Sequence, residues 1–411
     1  MPVTENSRAP WRDAFAALRQ RNYRLFFWGQ LISLTGTWMQ AVAQGWLVYN
    51  DLHGSPFTLG LIAFLGLLPV TLLTVPAGTL ADRYDKRRIL FWTQASSMVL
   101  ALLLAGLAWS GLVAIWHVAG LSFLLGLANA FDIPTRQSFL VDLVGRDKLP
   151  NAIALNSTMF NIARILGPSL AGVLIGLLGV AGCFLLNGVS YVAVIAGYLV
   201  MRLPAHCPPA TPTPVWQAMG AAANFVRRER VVRRILMLVG LFSLLVFPFA
   251  TLLPVFARDY LHGNAQTYGL LGTAHGVGAL IGALTLAFRG AHSNQRRLFY
   301  AGLLGFCGAI ALFALSRQLW LSLSLITVAG WCFIVALATA NTTVQQRMPD
   351  TLRGGVMGIY TLAFLGLAPI GSLLIGTLAR WTSAPIAVVT GTVICALCAI
   401  GFSQTPTPET P

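Results

Sequence analysis

Few residues inside the apolar stretches of this 411-residue chain could do chemistry, and most of those are polar rather than ionised. Gln30, Ser33, Thr37, Gln40 and Gln44 recur at spacings of three and four, which on a helix makes one continuous stripe. A polar stripe has no reason to face lipid. It either hydrogen-bonds to other helices or lines a wet cavity, with Trp38, Met39 and Trp46 supplying apolar surface nearby. Arg164 lies well inside another apolar run, where an unpaired charge costs on the order of several kcal/mol. Either it faces a wet cavity, where it would attract an anionic or catecholate-like group, or carbonyls and Asn156, Asn161 and Asn341 satisfy it. No run carries a carboxylate at matching depth. His275 is the best titratable candidate at depth, though a lone histidine is more often structural than a proton carrier. Asp132, in N-A-F-D-I-P-T-R-Q, stands four residues before Arg136 at the edge of a run, and a structural ion pair is its simpler role. There is no P-loop, metal-ligand cluster or nucleophile–base pair. This inventory suits binding and passage rather than bond-making: not an enzyme, no cofactor, no metal.

The elements that must position these residues follow from composition. The chain is 56% hydrophobic and 9% charged, with mean hydropathy +0.74. A soluble fold cannot hide so much apolar surface, and disorder is excluded for the same reason. Of the six cysteines, Cys207 is the one outside an apolar run; the others act as small hydrophobes. The basic, polar N-terminus and the length of the first apolar run argue against a cleaved signal peptide. Within residues 1–24, Trp11, Phe15 and Leu18 share a helical face among five arginines, which predicts a surface amphipathic helix.

Twelve apolar spans follow, near 25–49, 57–80, 89–109, 113–132, 152–178, 181–201, 233–257, 267–288, 297–315, 319–341, 354–378 and 384–402. Each approaches the ~20 residues that cross a bilayer as a helix. Of 27 Lys and Arg residues, 23 fall in the N-terminus and alternate loops, three in the opposite loops, and Arg164 within a span. That asymmetry predicts cytoplasmic termini. It also explains a net charge of +15 without nucleic acid. A proline-rich break opening at residue 202 divides the spans six and six. The expected units are 1–24, a first bundle 25–201, a linker 202–232, a second bundle 233–402 and a tail 403–411. The halves echo each other: Arg87-Arg88 with Arg296-Arg297, and L-I-G at 174–176 with L-I-G at 374–376, preceded by Pro168 and Pro369. Two related bundles place a substrate site between them near the midplane.

The segment between spans two and three reads G-T-L-A-D-R-Y-D-K-R-R-I-L, residues 78–90. Its Gly78, Asp82, Arg83, Lys86 and Arg87 resemble the loop signature of the major facilitator superfamily. Asp85 stands where that signature usually has glycine. Span five reads A-R-I-L-G-P-S-L-A-G, and its Gly167, Pro168 and Gly172 resemble the helix-five signature of superfamily antiporters, which goes with export. The resemblance covers essentially the whole chain. L-R-Q-R-N-Y-R-L-F-F-W-G-Q, G-T-W-M-Q, W-L-V-Y, D-I-P-T-R-Q and L-P-N-A-I-A-L-N-S are similar to the bacterial branch that holds the enterobactin exporter and macrolide and drug efflux proteins.

The resemblance implies an all-α membrane protein, with twelve transmembrane helices in two six-helix bundles, in the bacterial inner membrane. It implies a monomer exporting drugs or siderophore-like metabolites by alternating access, with proton antiport. Uptake of a small organic solute and lipid transport are the alternatives. Gly78, Asp82, Arg83, Lys86, Arg87, Arg136, Gly354 and Gly355 are expected to form a cytoplasmic gate in which Asp82 meets Arg136 and the start of span eleven. Gln30, Thr37, Trp38, Gln40, Gln44, Arg164 and Asn341 are expected to line the cavity. Asp132 and His275 are the candidates for proton coupling.

Overall fold

A computed structural model describes residues 15–202, 215–289 and 294–404. Side chains of 75, 81, 82, 146, 215–219, 289 and 350 lie outside the described set. The described chain is helical, with no strand. Helix α1 is Arg21–Trp46, α2 is Pro56–Arg83 and α3 is Lys86–Trp109. The stretch Ile115–Val200 is three helices, α4 to α6, divided at Gly145 (φ 73) and Gly179 (φ 70). At these two positions the left-handed backbone needs a residue without a Cβ, so one glycine suffices for each turn.

An amphipathic linker helix, α7 (Val215–Arg228), leads to α8 (Arg230–Leu245), whose span continues to Tyr260. Then come α9 (Ala265–Arg289), α10 (Gln295–Leu315) and α11 (Leu319–Arg347). Span eleven is broken: α12 (Arg353–Thr361) passes through a π-helical turn, Leu362–Gly366, into α13 (Ala368–Trp381). Pro369 near the start of α13 lacks the N–H that an unbroken helix would need. The last helix is α14 (Ala384–Gln404).

Among the described residues, ten helical stretches are long and apolar enough to cross a membrane. One of them, Asp147–Val200, is two spans folded at Gly179. Helix α1, diluted by its polar stripe, makes the twelfth. The expected N-terminal amphipathic helix falls mostly on residues 1–14, outside the described residues. Its described end is a short 3-10 turn, Ala16–Arg19, tied to α5 by the Ala17 N–H donating to Asn151 Oδ1 at 2.9 Å.

The spans alternate between two ends. One end holds the Arg/Lys-rich segments and is called the basic end; the other is the far end. Trp109, Trp116, Trp320 and Trp381 are all exposed at far-end helix termini. Such a ring of tryptophans suits a membrane–water interface. The apolar core divides unevenly. A smaller cluster around Tyr23, Phe26, Phe139 and Tyr198 stays within the first half near the basic end. The larger one runs from Trp46, Leu47 and Tyr49 at the far end of α1 continuously into the second half.

Candidate transport site

Close backbone approach joins the halves toward the far end. Helix α5 meets α9: a Cβ on Gly172 would lie 3.0 Å from Gln266 Cα, and one on Gly269 would lie 2.5 Å from the Pro168 carbonyl oxygen. Helix α2 meets α13 in the same way, with a Cβ on Gly376 falling 2.7 Å from the Pro56 oxygen. Gly167 instead seats α5 on α1, where its missing side chain leaves room for Trp38, Thr35 and Met39. The Gly167–Pro168–Gly172 face therefore has two tasks, one inside the first half and one between halves. Small residues let helix backbones approach this closely where lipid provides no hydrophobic drive.

A polar cluster caps that junction. The Tyr49 hydroxyl donates to Asp259 Oδ2, Arg258 Nη1 donates to the Tyr49 carbonyl at 3.1 Å, and the Arg258 guanidinium lies 5.5 Å from the Tyr49 ring centre. Sequence reasoning missed these residues. The signal was available: L-H-G-S-P-F-T-L-G-L at 52–61 recurs as L-H-G-N-A-Q-T-Y-G-L at 261–270. Both copies fold alike. His53 (φ 51) and His262 (φ 49) turn the chain. The N–H groups of Gly54 and Gly263 each bond a carbonyl six residues back at 2.8 Å. Ser55 and Asn264 then accept from the N–H groups that begin α2 and α9.

The stripe on α1, expected to line a cavity, hydrogen-bonds to neighbouring helices in this structure. Gln30 is 1% exposed, donates to the Tyr198 hydroxyl at 2.9 Å and accepts from Arg136 at 3.0 Å. Gln40 accepts from Asn187 at 2.7 Å, Thr37 meets the Tyr191 hydroxyl at 3.4 Å, and Gln44 donates to Ser122 at 3.1 Å. The stripe is a seam holding α1 to α6 and α4. Its polarity is used because buried amides need partners, and α6 offers Asn187, Tyr191 and Tyr198 at matching heights. Trp38 differs: it packs edge-on to Phe160 of α5, with ring centres 5.7 Å apart.

Asp132 is 4% exposed and fully engaged. Its Oδ1 accepts from Thr93 at 3.1 Å and Gln94 at 2.7 Å, and its Oδ2 lies 3.4 Å from Arg136 Nε. Arg136 thus pairs with Asp132 and Gln30; the Asp82 side chain, its expected partner, lies outside the described residues. Lys86 binds Asp142 at 2.9 Å, and Arg87 donates to the Leu199 carbonyl at 2.8 Å, so both stay within the first half. Arg83 is exposed. Asp85 takes the place of the family glycine without difficulty. Its φ is −61, and its carboxylate caps α3 by accepting from the Arg87 N–H at 2.9 Å. A Cβ on Gly78 would lie 3.7 Å from Pro134 Cβ, and one on Gly354 would meet nothing within 4 Å. The Gly355 backbone lies in α12, against which the linker helix α7 packs.

Arg164 occupies the middle of the interface. It is 8% exposed, and Nη2 donates to Asn161 Oδ1 at 2.9 Å. Its buried Nε has no partner. Asn341, expected nearby, instead accepts from Gln345. Across the interface, His275 lies between the rings of Phe249 and Phe333, with centres 6.1 and 5.6 Å away. The next residue, Gly276, packs against the Arg164 backbone. No metal-binding group of His, Cys, Asp and Glu occurs among the described residues.

Relatives agree with this architecture. The profile of a family described as transmembrane secretion effector matches residues 12–410. A staphyloferrin A transporter of Staphylococcus aureus is 27% identical, covering 85% of this chain and 88% of its own. The multidrug efflux pump Tap of Mycolicibacterium fortuitum is 26% identical, covering 86% and 88%. An enterobactin exporter of Citrobacter koseri is 26% identical, covering 87% and 85%. The crystal structure of a bacterial homologue of the iron transporter ferroportin superposes with a TM-score of 0.71 at 16% identity, covering 94% of this chain and 99% of that one. With its two six-helix halves and a match along nearly its full length, the chain belongs to the transmembrane secretion effector family of major facilitator transporters, and is a multi-pass, non-enzymatic membrane transporter.

Proposed function

We propose that this transporter exports small molecules of the siderophore or drug kind across the bacterial inner membrane by proton antiport, with both termini cytoplasmic. The observation that carries this reading is the one-sided junction. Every contact between the halves named above lies from the midplane to the far end, made by glycine faces that can part and re-form. Rocking about the midplane would exchange that closure for one at the basic end. The names of the relatives support the substrate class and the direction. The excess of basic residues at the end that carries the termini supports the orientation.

In the alternate state, Asp82 and Arg136 meet the start of α12 near Gly354 and Gly355. There the positive end of the helix favours a carboxylate. Arg83, Lys86 and Arg87 position that loop from the first half. Asp132 and His275 are the proton-coupling candidates; of these His275 faces the second half, while Asp132 serves the ion pair with Arg136.

The test is gradient dissipation in everted membrane vesicles. A respiratory pH gradient is established, and a macrolide, a lipophilic cation or a catecholate siderophore is added. Collapse of the gradient by one of them, absent with Asp82→Asn, is the expected result. Full transport by Asp82→Asn excludes the latch, and no response from the wild-type protein to any of them contradicts drug or siderophore antiport.

A further inference from the structure

Among the described residues Arg164 has no counter-charge, and we propose that the transported substrate supplies it: a small carboxylate or catecholate anion docks on this guanidinium between the two halves. The inference rests on the transport reading above and narrows its cargo.

Depth makes the case. Arg164 lies 17 residues beyond Asp147, about 26 Å along a continuous helix. No Asp or Glu occurs between Asp147 and Glu229, or between Asp259 and Asp350. Helix α5 beyond its first residues, α6 and α9 to α11 are therefore free of acids. The five ion pairs among the described residues use Asp85, Asp132, Asp142, Asp259 and Glu229, and none reaches Arg164. Among the described residues one amide oxygen, from Asn161, is the whole of its hydrogen bonding, and Nε is buried without an acceptor. A guanidinium that spends a single N–H on Asn161 keeps donors for anionic oxygens.

The surroundings suit a planar or apolar body attached to that anion. The Phe160–Trp38 pair lies one helical turn toward the basic end, and on the second half His275, between Phe249 and Phe333, directly precedes the Gly276 that packs on the Arg164 backbone. Gly276 holds α9 against the Arg164 backbone, so the charge sits where the halves approach. Closing the halves over an empty site strands an ion away from water, whereas closing over a bound anion does not. The anion thus favours the occluded state by its differential interaction with it.

The test uses the full-length protein in everted vesicles and in detergent, with citrate and 2,3-dihydroxybenzoate as anionic probes and tetraphenylphosphonium as the cationic control. Wild-type protein moves at least one anion; Arg164→Gln lowers that rate roughly 10- to 100-fold, and Arg164→Lys retains part of it. The melting temperature of Arg164→Gln equals or exceeds the wild type, because an unpaired buried charge is gone. Anion transport by Arg164→Gln at the wild-type rate overturns the proposal. So does a loss of transport accompanied by a lower melting temperature, which makes Arg164 structural. Movement of tetraphenylphosphonium alone, unchanged in Arg164→Gln, overturns the anion site and leaves export standing. No movement of any probe by the wild-type protein removes both.

Discussion

The two ends of this molecule are organised on opposite principles. At the far end the halves touch through backbone, Gly172 on Gln266 and Gly376 on Pro56, under a cap of Tyr49, Arg258 and Asp259. At the basic end the ionised groups are more numerous, yet Lys86, Arg87, Asp132 and Arg136 all find partners within the first half. A junction made of small residues can open at little cost, because few side chains lose a partner. A charged surface already satisfied on its own side does not collapse onto the other half prematurely. The difference suggests that glycine sets where the halves can meet and charge sets when.

Breaking each kind of contact should give different phenotypes. Asp132→Ala leaves Arg136 without its buried carboxylate and should cost about 3–5 kcal/mol of stability. A lower melting temperature and poor membrane yield, with no selective effect on transport, would mark it as a fold residue. Gly269→Leu forces a side chain into the Pro168 carbonyl and should disfavour far-end closure by about 3 kcal/mol. Helix packing within each half should survive, so the variant should insert normally, transport poorly and leave a cysteine introduced at Ser372, on the α2–α13 contact, open to a bulky thiol reagent. Insertion failure would mean that the halves do not fold independently of this contact.

Asp259→Ala frees Tyr49 and Arg258 and should shift the same equilibrium by about 1.5 kcal/mol. Partial far-end labelling and a several-fold slower transport rate would fit; unaltered labelling would make the cap incidental. Lys86→Ala removes a half-exposed pair with Asp142 and should change stability by less than about 1 kcal/mol. A larger loss of transport than of stability would show that Lys86 acts on the gate.

Much of this fold was legible because its governing signals are local. Twelve apolar runs, the charge alternation and the small residues of span five each follow from what lipid permits. The breaks at Gly145 and Gly179 fall inside the expected gaps between spans; what the sequence did not show is that a single left-handed glycine makes each turn. The site was less legible than the fold. The stripe from Gln30 to Gln44 had the periodicity of a buried face, but periodicity does not say whether the partner is water or another helix. Asn187, Tyr191 and Tyr198 decided that, and they lie about 150 residues away or more. The Tyr49–Asp259 cap was visible only as the repeat of L-H-G, a pattern carried by few enough identities to escape a search guided by the halves' basic loops. Arg164 stood out from the start because nothing else charged lies at its depth.

The central claim is that the halves must separate at the far end for substrate to cross. A cross-link between Tyr49→Cys and Asp259→Cys by a short, reducible bis-thiosulfonate reagent, in a background with Cys207 and Cys398 replaced, tests it directly; the reagent spans the gap that the tyrosine ring bridges in the native protein. The cross-link should stop transport in vesicles and release it when reduced. Transport at the full rate by completely cross-linked protein would contradict alternating access through this junction.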